Sequence, residues 1–265
     1  MEEWLWVHCQ RTAGRAVLGE AKPTSAYVAE MTFSPTESDA IYHDRMVVVS
    51  TDDGTGVCGC PHRDIDLDVP SFMDAVDKFD SNSHSCLQIA LVDAIMTRNC
   101  PTPTGRAIID GPIPSKAVRR ASLIVDSVTR LCRAGQGRVV MVGAVGSVIQ
   151  QLKDARLDLS VTEMDDRLIG SEVAGVLVMD GAQTTHLIEE ADVAVVTGMT
   201  IATETLGSTL EASRNGNTPL VFYAQTGSNI LSTVEFPMPT TILQESFPPY
   251  MWPGRSCVSI FRYNE

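Results

Sequence analysis

Nowhere does this chain hold the roughly 18 uninterrupted apolar residues that a membrane helix needs. The start, MEEWLWVHCQRTAGR, is acidic and lacks the basic flank that precedes the apolar stretch of a secretion signal. Basic charge is also short: 20 Lys and Arg stand against 33 Asp and Glu, a formal net charge of −13. Such a surface repels phosphate backbones and anionic lipid, which speaks against nucleic acid and membranes as main partners. There is no internal repeat and no low-complexity tract. A nucleophile elbow, a P-loop and a Cys/His pair in a triad context are all missing. Seven cysteines are scattered in a chain too long to need staples. They read as reduced, largely buried thiols, and the expected compartment is the cytoplasm.

What remains is a folded soluble composition, 44% apolar and 20% charged. A length of 265 residues suits one large domain or two modest ones. The two halves read differently. In the first, a helix is expected over 4–18, with strands at 26–33 and 46–51. The turn DDGTG leads to 57–60 as the return arm of a hairpin. Helices follow at 70–79 and 81–98, the second capped by Ser81 or Ser83, with Leu87, Ala90, Leu91, Ala94 and Ile95 as its buried stripe. The segment 100–114 carries four prolines and two glycines and marks an interdomain boundary.

The second half opens on a helix at 115–135, with Val118, Ala121, Ile124, Val125, Val128 and Leu131 along one face. Strand 138–142, helix 146–155, strands 158–163 and 192–197, a helix near 203–213 and strand 219–223 follow. The segment 256–263 is expected as an edge strand. Strands alternating with helices at this spacing predict α/β architecture. The expectation is a small α+β domain over 1–112, then a Rossmann-like parallel sheet with helices on its faces over 113–265.

The most informative stretch is RVVMVGAVGSVIQQLKDARLDLSVTEMDD, residues 138–166. An apolar strand ends in Gly143, Ala144, Val145 and Gly146, and an amphipathic helix starts near Gly146 or Ser147. Glycine at a strand end lets the backbone approach a ligand with no Cβ in the way. The free N–H groups of the following helix favour a negative group. Glu163 ends the next strand about twenty residues further on, where a carboxylate takes ribose hydroxyls in dinucleotide sites. The glycines form G-x-x-G rather than G-x-G-x-x-G. That favours an S-adenosylmethionine-type ligand over NAD and also suits a closely packed strand–turn–helix. Two further strand ends carry small polar loops: Thr197, Gly198 and Thr200, then Gln225 with Thr226. In an open parallel sheet ligands lie beyond the carboxyl ends of the strands, where strand order reverses. Singly, such threonines are helix caps; together they suggest one rim.

The segments ADVAVVTGMT, VGAVGSVIQQL and CLQIALVDAIM resemble bacterial and archaeal proteins grouped under a heavy-metal chelation label. The resemblance spans about 25–260. It implies a small domain like the enolase N-terminal domain joined to a carboxyl-terminal Rossmann-like domain. It carries Thr197, Gly198, Thr200 and the Gly143–Gly146 loop over as site positions, and no catalytic residue. The chain departs from the family pattern at Thr203, where an Asn is usual. It departs again at Ala224-Gln225-Thr226, where a Gly-Pro-Ser-type turn is usual.

Metal enters a second way. In CGCPH, Cys58, Cys60 and His62 would share one side of an extended strand. Two thiolates and an imidazole suit zinc or another soft divalent metal, and His84 and Cys86 follow not far along. The spacing is not that of a structural zinc site, no second C-x-x-C exists, and alternate cysteines in a strand are often simply small buried side chains. Two functions are therefore carried forward. One is an enzyme using an adenosyl-type cofactor for group transfer or cyclisation on an amino acid-like metabolite. The other is a non-catalytic binder of a metal ion or metal chelate. Either takes a small-molecule ligand, and a homodimer is compatible with both.

Overall fold

The computed structural model describes residues 1–14, 23–33, 42–60, 85–132, 137–245, 247 and 252–264. The expected helix at 70–79, the caps Ser81 and Ser83, and both His62 and His84 lie outside these residues. Contacts divide the chain into two compact units. The first holds 1–101 together with 198–205 and 225–234; the second holds 102–197, 206–224 and 235–265. The expected single cut after residue 112 is therefore corrected. Two segments leaving later strand ends fold with the first unit.

In the first unit, β1 (Ser25–Phe33), β2 (Tyr42–Ser50) and β3 (Thr55–Gly59) form an antiparallel sheet in that order. The β2–β3 hairpin turn closes with the Thr51 N–H donating to Gly54 O at 2.8 Å, as the Asp-Asp-Gly signal predicts. Helix α1 (Glu3–Ala13) precedes the sheet, and α2 (Ser85–Met96) packs along β3 and β2. From Cys86 to Met96 every residue of α2 is buried. The expected stripe is thus part of a helix covered all round, as a uniformly apolar helix must be. Gly56 makes the packing close: a Cβ there would sit 2.1 Å from Ala90 O and 2.2 Å from Ala94 N. The two late segments supply short helices to this unit, Met199–Ala202 and Ser228–Leu231.

The second unit is a nine-stranded sheet. Its strands are β4 (Gly105–Ile109), β5 (Arg138–Val142), β6 (Asp158–Glu163), β7 (Glu172–Val173), β8 (Val176–Asp180), β9 (Val193–Thr197), β10 (Leu220–Ala224), β11 (Thr240–Glu245) and β12 (Ser256–Tyr263). Spatial order is β4-β12-β11-β10-β9-β5-β6-β8-β7. Pairings from β8 through β6, β5, β9 and β10 to β11 are all parallel. Read in chain order, those six strands lie 3-2-1-4-5-6, the doubly wound Rossmann arrangement. Strand β12 is not an edge strand as expected: it pairs antiparallel with both β11 and β4. Strand β4 falls inside the stretch read as a linker.

Helices α3 (Ile113–Leu131) and α4 (Gly146–Asp154) cover one face, burying Ala121, Ile124, Val128, Val148, Ile149 and Leu152 against Val139, Met141, Val193 and Val195. The sequence places Val118 on that face, but it is 50% exposed. The first turns of α3 turn Lys116 and Arg120 inward instead. On β10 and beyond, Phe222, Phe236 and Tyr263 stack in a chain with ring centroids 5.7 and 5.3 Å apart, a geometry favoured by the ring quadrupoles. Helices at Thr184–Glu190 and Leu206–Gly216 are tied by Asn215 Nδ2 donating to Glu189 Oε1 at 3.0 Å.

Candidate functional site

The strand order reverses between β5 and β9, and ligands of doubly wound sheets bind outside the carboxyl ends at that point. The carboxyl end of β5 is the glycine turn. Gly143 has φ +98°, a conformation that L side chains avoid. Its N–H donates to Thr162 O at 2.9 Å, and its carbonyl accepts from the Val145 N–H at 3.1 Å. The chain then enters α4 at Gly146. A Cβ on Gly143 would lie 2.8 Å from both Oγ1 and Cγ2 of Thr197, the last residue of β9. The structure thus brings Gly143 and Thr197 into contact at the switch point.

Glu163, at the end of β6, is tied to the same turn. Its Oε2 accepts from the Ala144 N–H at 2.9 Å. Its Oε1 accepts from the N–H groups of Met164 at 2.7 Å and Asp165 at 3.3 Å. Three backbone donors hold one carboxylate, so Glu163 braces the turn as well as ending the strand. Residues 143–147 and Glu163 are all half-buried, leaving a surface that solvent reaches. Met164, 57% exposed, adds an apolar face beside them. Helix α4 supplies its free N-terminal N–H groups with no side-chain cap to occupy them. Gly143, Ala144, Gly146, Ser147, Glu163 and Thr197 therefore stand together in the second unit.

Gly198, Thr200 and Gln225 belong to the first unit. Gly198 and Thr200 are buried there, and Thr200 O accepts the Thr205 N–H at 2.9 Å. Beside Gln225, Thr226 Oγ1 accepts the Gly59 N–H at 2.9 Å. The small polar residues of these two loops hold up the interior of the first unit.

Cys58 is fully buried and its thiol donates to Gly59 O at 3.2 Å, while Cys60 is half-buried. Among the described residues, no group of three or more His, Cys, Asp or Glu is placed to hold a metal ion. None of the seven cysteines is in a disulfide. His186 is a surface residue 3.7 Å from Glu190.

Two polar centres escaped the sequence reading. Asp93 sits inside α2 and is 1% exposed. Its Oδ1 accepts the N–H groups of Asn229 at 2.7 Å and Ile230 at 3.1 Å, and its Oδ2 that of Val57 at 3.1 Å. Burial pushes its carboxyl from 3.8 up to about 7, against the pull of those three donors. The signal was available: one acid in an otherwise apolar helical run. In the second unit, Glu245 at the end of β11 is fully buried. It accepts from Arg120 Nε at 2.5 Å and from the Ser256 hydroxyl, with Tyr223 OH 3.5 Å away. The Arg120 guanidinium lies 5.6 Å from the Tyr223 ring centroid. Lys116 Nζ donates to Trp252 O at 3.0 Å, and burial lowers its pKa. Nothing in the helical pattern of 113–131 distinguishes these inward charges from solvated ones.

One groove of the second unit, about 90 Å³, is lined by Arg138, Val140, Asp158, Ser160 and Glu190. It lies at the amino ends of β5 and β6, the opposite end from the glycine turn, and is far smaller than the roughly 300 Å³ that cofactor pockets begin at.

Sheet order, glycine turn and brace define the class: a Rossmann-like α/β protein. Within it, residues 127–221 match the DUF364 family, whose description is "Putative heavy-metal chelation". The resemblance read from the sequence therefore holds over that stretch. Two solved DUF364 proteins of unknown function share the fold. One, from Pyrococcus horikoshii, is 14% identical with a TM-score of 0.56, covering 96% of this chain and 99% of its own. The other, from Desulfitobacterium hafniense DCB-2, is 12% identical with a TM-score of 0.53, covering 97% and 100%. Among curated proteins none matches this sequence. No described helix is long and apolar enough to cross a membrane.

Proposed function

We propose that the second unit binds an adenosyl-type small molecule, S-adenosylmethionine ahead of NAD, on the turn 143–147, and that the protein uses it in group transfer or cyclisation on an amino acid-like metabolite. The observation that carries this reading is the meeting of Gly143 and Thr197 at the carboxyl ends of β5 and β9, where the strand order reverses. That is the crevice which doubly wound sheets use. The α4 N–H groups supply positive potential for a carboxylate or phosphate. Glu163 Oε2 takes one N–H and keeps an acceptor lone pair for a ribose hydroxyl. Met164 offers apolar surface to a base.

The test is thermal unfolding of metal-free protein with S-adenosylmethionine, S-adenosylhomocysteine, NAD, NADP and divalent metals in turn. A ligand at a hundred times its Kd adds about 2.7 kcal/mol. A rise with the adenosyl compounds, weakened about tenfold in Kd by Glu163→Gln, is the expected result; each tenfold step corresponds to about 1.4 kcal/mol. No rise with any nucleotide sinks the reading.

A second reading is favoured by the family description: a non-catalytic protein holding a metal ion or metal chelate. Its donors would be Cys58 and Cys60 of the first unit with His62. A rise with zinc alone, removed by Cys58→Ser with Cys60→Ser, would select it.

A further inference from the structure

The CGCPH stretch has a use that needs neither ligand. Side chains alternate along a strand, so positions 56, 58 and 60 face the same way. Gly56 identifies what they face, because its absent Cβ points at the backbone of α2 between Ala90 and Ala94. Helix and strand run in opposite directions. At one end Gly54 abuts Thr97 beyond the carboxyl end of α2; at the other, the Cys86 thiol in its first turn lies 3.9 Å from Gly59 O. Cys60 stays in the ladder, its N–H donating to Arg45 O at 2.8 Å, so its side chain keeps the facing direction. Cys60 thus faces the first turn of α2, where the Cys86 thiol lies against the carbonyl of the preceding Gly59, and Cys86 is near enough to raise the Cys60 pKa.

We propose that Cys60 and Cys86 are a reversible dithiol–disulfide pair, oxidised by a peroxide-class oxidant, that fastens the end of β3 to the start of α2. Their exposures suit different roles. Cys60 is half-buried and within reach of a small oxidant, whereas Cys86 is buried behind it. Cys60 as thiolate attacks one peroxide oxygen. The O–O bond breaks and the departing hydroxide leaves as water after taking a proton, giving Cys60 sulfenic acid. The Cys86 sulfur then attacks the Cys60 sulfur, the S–O bond breaks, and a second water leaves. In sum, two thiols and one hydrogen peroxide give one disulfide and two waters. The two sulfurs lose two electrons and the peroxide gains them. Cys58, fully buried and bonded to Gly59 O, serves as the internal control.

The experiment treats the full-length protein with hydrogen peroxide, blocks remaining thiols with iodoacetamide, and maps peptides by mass spectrometry. The expected product is a peptide pair joined through Cys60 and Cys86, lost on dithiothreitol treatment, with a higher Tm before reduction. Cys86→Ser should leave a Cys60 sulfenic acid that dimedone captures. Over-oxidised Cys60 with Cys86 still alkylated in the unmutated protein would overturn the proposal, as would a bridge to any other cysteine. Circular dichroism of Cys86→Ser checks its fold; should it fail to fold, the map of the unmutated chain decides alone. Cys58→Ser should retain the bridge.

Discussion

At the scale of single residues, Gly143 is fixed by two independent constraints. Its φ of +98° is strained for any L side chain, and an added Cβ would press on Thr197 at 2.8 Å. Gly143→Ala should therefore cost about 1–3 kcal/mol of stability, read by urea unfolding. Thr197→Ala in the same chain removes the clash but leaves the backbone strain, so the double variant should recover only part of the loss. Full recovery would show that φ strain is negligible there; no recovery would show that Thr197 yields freely. Glu245 makes a sharper case. Removing it leaves Arg120 buried without its carboxylate, and breaking a buried pair typically costs about 3–5 kcal/mol. Glu245→Ala should thus destabilise more than Gly143→Ala, and a loss under about 1 kcal/mol, the level of a surface pair, would mean that water reaches the cluster.

Among elements, the strands and helices with clear periods were legible. Strand β5 falls at 138–142 as expected, and α2, described from Ser85 to Met96, lies within the expected 81–98. What was missed shares a physical cause. Strand β4 lies among prolines and glycines, so its five residues look like linker until β12 pairs with them. Strand β8 is a run of five residues and β11, TTILQE, holds only two apolar ones, so neither marks itself by pattern. The glycine turn was legible as a strand–turn–helix, with Glu163 beside it, because a turn and its brace are local chemistry. Gly198, Thr200 and Gln225 leave the ends of β9 and β10 as the sequence indicates, but sequence shows which strand end a loop leaves, not which unit it then folds with. Asp93 joins α2, β3 and the 225–234 segment, and its carboxyl gives a pH prediction. Its folded pKa, about 7, stands above the ordinary 3.8. The group thus contributes stability in full below about pH 4 and loses it as pH rises through 7. Its neighbours Cys9 and Cys100, pushed up to about 12 and 11, stay protonated throughout. Asp93→Asn removes the titration and sets an amide N–H against a backbone donor. The variant should be less stable at pH 5 by about 1–3 kcal/mol, and the gap to the unmutated protein should narrow toward pH 7. Parallel stability curves from pH 5 to 8 would rule out Asp93 as the source.

For the whole molecule, the chain passes between its two units five times, once after residue 101 and four more times because segments 198–205 and 225–234 return to the first unit. Those segments bring Ile201, Ala202, Ile230 and Leu231 into its interior, all buried. They also bring the two backbone N–H groups that Asp93 holds through its Oδ1. A fragment of 102–265 would keep every strand of the Rossmann-like sheet and lose the partners of both segments. Ile201, Ile230 and Leu231 left in water cost on the order of 1.5–3 kcal/mol each, together comparable with the total stability of a domain of this size. The fragment should therefore be less stable than the full chain by most of its folding free energy. It should bind a hydrophobic dye and give poorly dispersed amide resonances, while the full chain unfolds in one transition. A fragment with sharp resonances and a cooperative melt would instead mean that the sheet carries its own stability and that the two segments are appendages. In that outcome the glycine turn could be assayed for adenosyl ligands on the fragment alone, free of every thiol in the CGCPH stretch.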